Sequence, residues 1–330
     1  MKQCITLSLS VVLVCLVLNG GGFARVEAEP VVLNVGEVTT PGNEILVSWE
    51  DAARYINEKA EGRLEIRVFH SGALGAQDTR ELDLQQGLYD LSTLPPASMT
   101  TFYKSIGVLN APFIFRDADH MLKVVNSDIG QTLLKDFEAA SGITALGVWY
   151  YGTRHLTSNI LGTTPDELSK VKMRIYNAPI AYEFASALGT KATPIDFNEL
   201  YLALKTGTVD AQENPIPTIY DRKFYEVQKY LILTGHVVAP VFPVANSGKW
   251  NALDDELKAL VLEGIEVATQ NNLARVGEKE QSLIAELQAQ GMEIIALDDK
   301  APFYESAQKI YQKYEQDWGA DTVVKIKAVQ

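Results

Sequence analysis

The chain predicts an α/β fold of mainly parallel strands, divided between two domains that share several chain crossings. Three observations carry this expectation. Short apolar runs alternate with amphipathic helical segments from residue 31 onward, the pattern of strand–helix–strand units. The length of 330 residues suits two domains, and 47% hydrophobic residues suffice to build their cores. No low-complexity linker separates the halves, so the domains are expected to be hinged together and not strung in series.

Val31 to Val35 is valine-rich and runs into Gly36, a first strand. Asn43 to Lys59 places Ile45, Trp49, Ala52 and Ile56 on one side of a helix, and Gly62 stops it. Leu64, Ile66 and Val68 alternate as a second strand. Asp78 to Gln86 reads as a short helix, and Tyr89 to Leu94 as a strand ended by Pro95 and Pro96. Sheets of this kind hold ligands beyond the carboxyl ends of their strands, here near Gly36–Thr39, Ser71–Gln77 and Leu94–Ser98. Asp117 to Val125 and Ile129 to Ala140 are expected helices, Thr144 to Tyr150 a strand, and Gly152 the crossover into the second domain. Val171, Met173 and Ile175 alternate with Lys172, Arg174 and Tyr176, which turns Arg174 away from the apolar set. Ala178 to Leu188 and Phe197 to Lys205 are helices closed by Gly189 and Gly207. Tyr230 to Leu233 and Val238 to Val244 are strand-like, the second with prolines that suit an edge or a crossover. Asp254 to Gln290 has helical periodicity without a proline; at its full length of roughly 55 Å it must run along both domains or kink. Met292 to Leu297 is a late strand, followed by helices at Pro302 to Trp318 and Asp321 to Val329.

The net charge of −13 argues against nucleic acid or an anionic membrane surface as a partner. Lys2, an apolar run from Ile5 to Leu18 and the Val26-Glu27-Ala28 site read as a secretory signal cut after Ala28. Both cysteines, Cys4 and Cys15, would leave with it, so neither a disulfide nor a thiolate metal site is expected in the mature protein. No nucleophile elbow, P-loop or dinucleotide fingerprint is present, and His70, His120, His155 and His236 are scattered. The reading is therefore of a protein that is not an enzyme, with no cofactor and no metal.

The residues that point to chemistry lie between 152 and 236. Gly152-Thr153-Arg154 opens the stretch, Lys172-Met173-Arg174-Ile175 follows, and Gln212-Glu213-Asn214-Pro215 comes near its end. A guanidinium offers planar paired donors that match a carboxylate at two points. An asparagine can both donate and accept, and Pro215 pushes Asn214 toward extended geometry. An arginine on a strand is commonly a surface residue, and Asn177 can cap the next helix as well as meet a ligand. Tyr220 and His236 lie near the crossover, where structural and ligand roles are both open.

At these residues the chain resembles the periplasmic solute-binding proteins of tripartite ATP-independent (TRAP) transporters, over about residues 31–320. Supporting segments are Glu61-Gly62-Arg63-Leu64-Glu65-Ile66, Ser71-Gly72-Ala73-Leu74-Gly75, Ala111-Pro112-Phe113-Ile114-Phe115 and Leu188-Gly189-Thr190-Lys191-Ala192-Thr193-Pro194, in shared order and spacing. The resemblance implies a two-lobed periplasmic-binding-protein-like fold. Two mixed, mainly parallel sheets are flanked by helices and hinged, and a long helix runs along both lobes. Residues 1–28 form the signal peptide, 29–151 plus 240–279 lobe I, and 152–239 plus 280–330 lobe II. It implies delivery of a small organic acid to membrane permease subunits, with the binding component of an ATP-driven importer or a ligand-presenting sensor as the alternative. The cleaved signal sends the chain to the periplasm, and a monomer is the default, with the long helix as a dimer seam the other arrangement. Arg174 would form the main salt bridge to the ligand carboxylate, with Arg154 a second cation, Asn214 a polar contact and Phe197 a packing surface. Glu37 and Val38, Gln77, and Leu94 and Pro95 would stand at the first-lobe strand ends, and Asn177, Tyr220 and His236 complete the candidates. A sugar acid or uronate is the preferred ligand, with a dicarboxylate the alternative. Val38 and Pro95 depart from the pattern of the sialic-acid-binding members.

Overall fold

The computed structural model describes residues 29–330. The leader, its cut after Ala28 and both cysteines lie outside the described residues. In chain order the first half comprises β1 (Val31–Gly36), α1 (Glu44–Lys59), β2 (Leu64–Phe69), α2 (Arg80–Gln85), β3 (Leu91–Leu94), α3 (Pro96–Met99), α4 (Ala118–Asn126), α5 (Asp128–Ser141), β4 (Ile143–Ala145) and β5 (Trp149–Ser158). Next come α6 (Pro165–Leu168), β6 (Lys172–Ile175), α7 (Pro179–Ala187), β7 (Lys191–Pro194), α8 (Leu200–Lys205), β8 (Ala211–Pro215), α9 (Ile216–Asp221) and β9 (Tyr230–Asn246). The chain closes with α10 (Ser247–Ala252), α11 (Asp255–Ala289), β10 (Glu293–Ile295), α12 (Ala301–Trp318) and α13 (Ala320–Ala328).

Hydrogen bonding links the strands in the order β2-β1-β3-β9-β5-β8-β6-β7, with β4 and β10 also paired to β9. The outer pairs β1/β2, β1/β3, β6/β7 and β6/β8 are parallel. The middle pairs β3/β9, β5/β9 and β5/β8 are antiparallel. The sheet is thus mixed, with two parallel arms joined through β9 and β5. β9 pairs with β5 from Tyr230 to Val241 and with β3 from Phe242 to Ala245, so one strand of 17 residues serves both arms.

Several expected elements differ from those observed. The two strands read at Tyr230–Leu233 and Val238–Val244 are one continuous strand, and a central one. Its prolines, Pro240 and Pro243, flank the point where it passes between arms. The strand expected at Thr144–Tyr150 is two, β4 and β5, and β5 runs straight through Gly152. The break comes at Gly147, where a Cβ would stand 2.9 Å from Ile265 Cγ2. The polar strands β7 and β8 carry no apolar alternation to announce them.

The helices form where their caps and faces dictate. The Asn43 side chain accepts from the Ile45 N–H at 3.1 Å to open α1, which buries Ile45, Trp49, Ala52 and Ile56 as expected. Asp254 caps α11 at the Leu257 N–H, 2.8 Å away. Along its 35 residues α11 buries Val261 and Ile265 with Trp49 and Trp149, then Leu283 and Leu287 with Phe224 and Leu200. It therefore serves the cores of both arms. Between these stretches Asn272 Oδ1 accepts from the Tyr150 N–H at 2.8 Å, and Glu280 accepts from the Tyr150 hydroxyl at 2.7 Å and from the Thr153 N–H. Near the chain's end, α12 lies against α7 and the turn at Lys104–Asn110, and α13 against α5.

Gly152 sits at a bulge of β5 with φ +121°, and a Cβ there would stand 2.7 Å from Pro215 Cβ. Gly152→Ala is expected to lower stability by about 1–3 kcal/mol, read by chemical denaturation, through backbone strain and this clash.

An ionic cluster joins α1 and α11. Glu44 meets Arg275 and Lys279, each at 2.7 Å, and Arg275 also reaches Asp51 at 2.6 Å. Asp221, at the end of α9, keeps Oδ2 buried and unpartnered. Burial raises its carboxyl to about 6, with Lys279 opposing and Glu44 adding to the rise. A carboxyl raised in the folded state costs stability as pH climbs from about 4 through about 6, and the cost persists above. Asp221→Asn should therefore stabilise the protein at pH 8 by about 1–3 kcal/mol and have little effect below pH 4, measured as the melting difference from wild type.

Candidate functional site

A cavity of about 910 Å³, counting the part open to solvent, lies where the two arms meet. Its floor is the stretch Ala239–Val241 of β9. One wall comes from the end of β1 and the start of α2, with Glu37, Val38, Thr39, Gln77 and Arg80 among its residues. The opposite arm contributes Arg154 from β5, Arg174 from β6, Asn177, Phe197 and Asn214.

Arg174 occupies the third position of a four-residue strand, where the alternation turns it toward the cavity; it is 2% exposed. Its Nε donates to the Ile195 carbonyl at 2.9 Å, and Nη2 donates to Gln77 Oε1 at 3.3 Å. No carboxylate among the described residues forms a salt bridge with it. Burial lowers its guanidinium to about 10, Arg154 adds to the fall and Glu213 opposes it. It stays charged at neutral pH.

Arg154 is differently placed. Antiparallel pairing of β5 and β8 sets Glu213 beside it. Nη2 donates to Glu213 Oε1 at 2.6 Å and to the Glu213 carbonyl at 2.8 Å, and Nε donates to Oε2. The charge of Arg154 is thereby balanced within its own sheet, while its edge still lines the cavity. Asn214 accepts from Arg154 Nη2 at 3.4 Å and donates to Gln212 Oε1 at 2.5 Å. Phe197 is held from behind by Arg222, whose guanidinium lies 4.6 Å from the ring centre. Asn177 does not cap α7: the cap residue is Ala178, with no side-chain bond, and Asn177 lines the cavity instead.

The sequence profile described as bacterial extracellular solute-binding protein, family 7, matches residues 35–317. The chain belongs to this family. It is a TRAP-type solute-binding protein, and its architecture is that of its solved relatives. The sialic acid-binding periplasmic protein SiaP of Vibrio cholerae is 29% identical over 90% of this chain and 92% of its own. A TRAP periplasmic solute-binding protein from Polaromonas sp. JS666, solved bound to D-erythronate, superposes with a TM-score of 0.85 at 30% identity, covering 91% of this chain and 99% of that one. A Pseudomonas putida F1 counterpart with bound D-glucuronate gives 0.86 at 27% identity, over 91% and 98%. Relatives in family 7 thus bind small organic acids. Among the described residues, no helix is long and apolar enough to cross a membrane, and no acidic, histidine or cysteine cluster could hold a metal.

Two candidates of this family 7 chain stand away from the cavity. Tyr220 packs beside Tyr225 with ring centres 5.7 Å apart. His236 stacks on Phe184 at 4.4 Å and meets Glu213 Oε2 at 3.2 Å, behind the Arg154 pair. Leu94 is fully buried and does not line the cavity, whereas Pro95 does. The sequence reading missed Tyr151 and Tyr176, whose rings lie 5.9 and 5.8 Å from the Arg154 guanidinium, and the wall residues Arg80 and Glu81; Thr39 lies at the end of the Gly36–Thr39 stretch it named. The strand alternation could have found Tyr176, two residues beyond Arg174 and on the same face.

Behind the cavity, burial alone would raise the Glu213 carboxyl; the Arg154 charge and the bonds from His236 and Arg154 outweigh it and hold it at about 2. Burial lowers His155 to about 3, helped by His236 and Lys300, and lowers His236 as well. Buried neutral histidines and a depressed carboxylate act in the same direction. Stability is fully present near neutral pH and is lost as pH falls below about 6.5, then further below about 4.5. Glu213→Gln leaves Arg154 buried without its counter-charge. It is expected to cost about 3–5 kcal/mol at pH 7 and to flatten the acid limb below pH 4.5, followed by thermal unfolding across pH.

Proposed function

We propose that this chain is a periplasmic binding protein that captures an organic acid, a uronate or other sugar acid by preference, and delivers it to a TRAP permease without turnover. The observation that carries the reading is Arg174: a buried cation with no carboxylate of its own, in a cavity between two hinged arms. A ligand carboxylate would supply the missing counter-charge through paired hydrogen bonds. Arg154 and Asn214 would flank it, and Phe197 would pack against the ligand body. The ligands of the Polaromonas and Pseudomonas relatives, D-erythronate and D-glucuronate, support a hydroxylated acid.

On this reading the arms are residues 29–151 with 240–279, and 152–239 with 280–330, turning about β5 and β9. A solute that touches both arms gains contacts only when they close, and so shifts the population toward the closed form that a permease can read. The test is calorimetry of wild type and Arg174→Ala, with acids first found by a thermal-shift screen of organic acids. The variant should bind the selected acid at least about 100-fold more weakly, with its melting temperature retained or raised. Equal affinity in both proteins would refute the assignment, as would a screen in which no carboxylate raises the melting temperature.

A further inference from the structure

The cavity wall built by the end of β1 and the start of α2 holds more polar groups than it satisfies. Glu37 Oε1 accepts from the Val38 and Thr39 N–H groups at 2.8 and 3.2 Å, but its Oε2 is buried without a partner. Arg80 Nη1 stands 4.0 Å from Glu37 Oε1, a loose approach, and its Nε is also unpartnered. Thr39 Oγ1 and Glu81 Oε2 are in the same condition, although Glu81 Oε1 accepts from the Thr101 hydroxyl at 3.2 Å. These side chains are 2–9% exposed and all four residues line the cavity. Buried polar atoms are rarely left this way, and a cluster of them on one wall calls for a common partner.

We infer that this wall is a hydroxyl subsite, and that it restricts the cavity to monocarboxylates with a polyol or sugar tail while excluding dicarboxylates. The inference rests on Arg174 holding the carboxylate. A hydroxyl donates and accepts, so one group can meet an unpartnered carboxylate oxygen and an unpartnered guanidinium N–H together. With four such residues on the wall, a tail bearing several hydroxyls fits better than a single one. A second carboxylate fits poorly, because it can only accept. The charge balance points the same way. Arg154 is committed to Glu213, which leaves Arg174 as the cavity cation with no carboxylate beside it. The wall itself offers Arg80 against the carboxyl groups of Glu37, Asp78 and Glu81.

The experiment measures affinities by calorimetry for D-glucuronate, D-galacturonate, D-gluconate and D-erythronate against succinate and butyrate. The proteins are wild type, Glu37→Gln, Thr39→Val, Glu81→Gln and Arg174→Ala. Glu37→Gln keeps the oxygen that meets the Val38 and Thr39 N–H groups, so the fold should hold, and a melting curve for each variant checks this. The best hydroxylated monoacid should bind wild type at least about 100-fold more tightly than succinate or butyrate. Glu37→Gln and Thr39→Val should each weaken that acid about 10-fold while narrowing its lead over succinate. Arg174→Ala should weaken every acid alike. Succinate or butyrate binding as tightly as the best hydroxylated acid would overturn the subsite and leave the role of Arg174 standing. Folded Glu37→Gln, Thr39→Val and Glu81→Gln proteins with wild-type affinities would do the same. Undiminished binding by Arg174→Ala would remove both.

Discussion

Two arginines line one cavity, and they differ in how their charge is balanced. Arg154 is joined to Glu213 on the neighbouring strand, with His236 bracing the carboxylate from behind. Arg174, more deeply buried, has among the described residues a carbonyl and an amide oxygen as its hydrogen-bond partners. An ion removed from water and left without its opposite is costly unless dipoles or a counter-ion compensate. The fold accepts that cost at one position and cancels it at the other. The balanced pair fixes the geometry of β5 against β8, and the unbalanced cation faces the space between the arms.

That division depends on the central strands. β5 and β9 run antiparallel through the junction, so a residue on either strand keeps its place relative to both arms. Gly152 allows β5 to bulge where Pro215 of β8 crowds it, and Glu280 of α11 is anchored to the residues on either side of the bulge. A long helix packed against both cores gives the same junction a second tether. Of the groups that line the cavity, Arg154, Arg174 and Asn214 stand on strands.

The sequence disclosed most where local rules govern. The helix starts at Asn43 and Asp254 and the apolar face of α1 could be read because each depends on residues within a turn or two. Arg174 could be read as facing away from the apolar set because strand alternation is a local property. β8 was hidden, since its buried Gln212, Glu213 and Asn214 are satisfied by Thr157, Arg154 and each other, partners that only the fold supplies. Arg80 and Glu81 escaped notice for the same reason. A charged residue at the start of a short helix looks solvated until another strand closes over it. His236 was named on its position near the crossover, and the fold turned its ring into the space behind Arg154.

The contacts that bridge the arms around the cavity differ in kind from those within each arm. Gln77 to Arg174 spans 3.3 Å, Asn110 to Tyr176 3.3 Å, and Asn43 to Thr218 3.5 Å. The Thr218 hydroxyl also donates to the Tyr151 hydroxyl at 3.0 Å, and none of these contacts joins two opposite charges. Within the second arm, by contrast, Arg154 and Glu213 make short charged bonds. Hydrogen bonds of the first kind contribute little net stability, and the second kind contribute more. Across the rim, Lys279 favours the ionised Asp221 carboxylate and Glu44 disfavours it. On the proposed function, contacts of this kind would leave closure open to a modest differential affinity. On the same reading, an acid reaching Arg174 on one side and the unsatisfied wall on the other would provide that difference, because both sets of bonds would form only with the arms together.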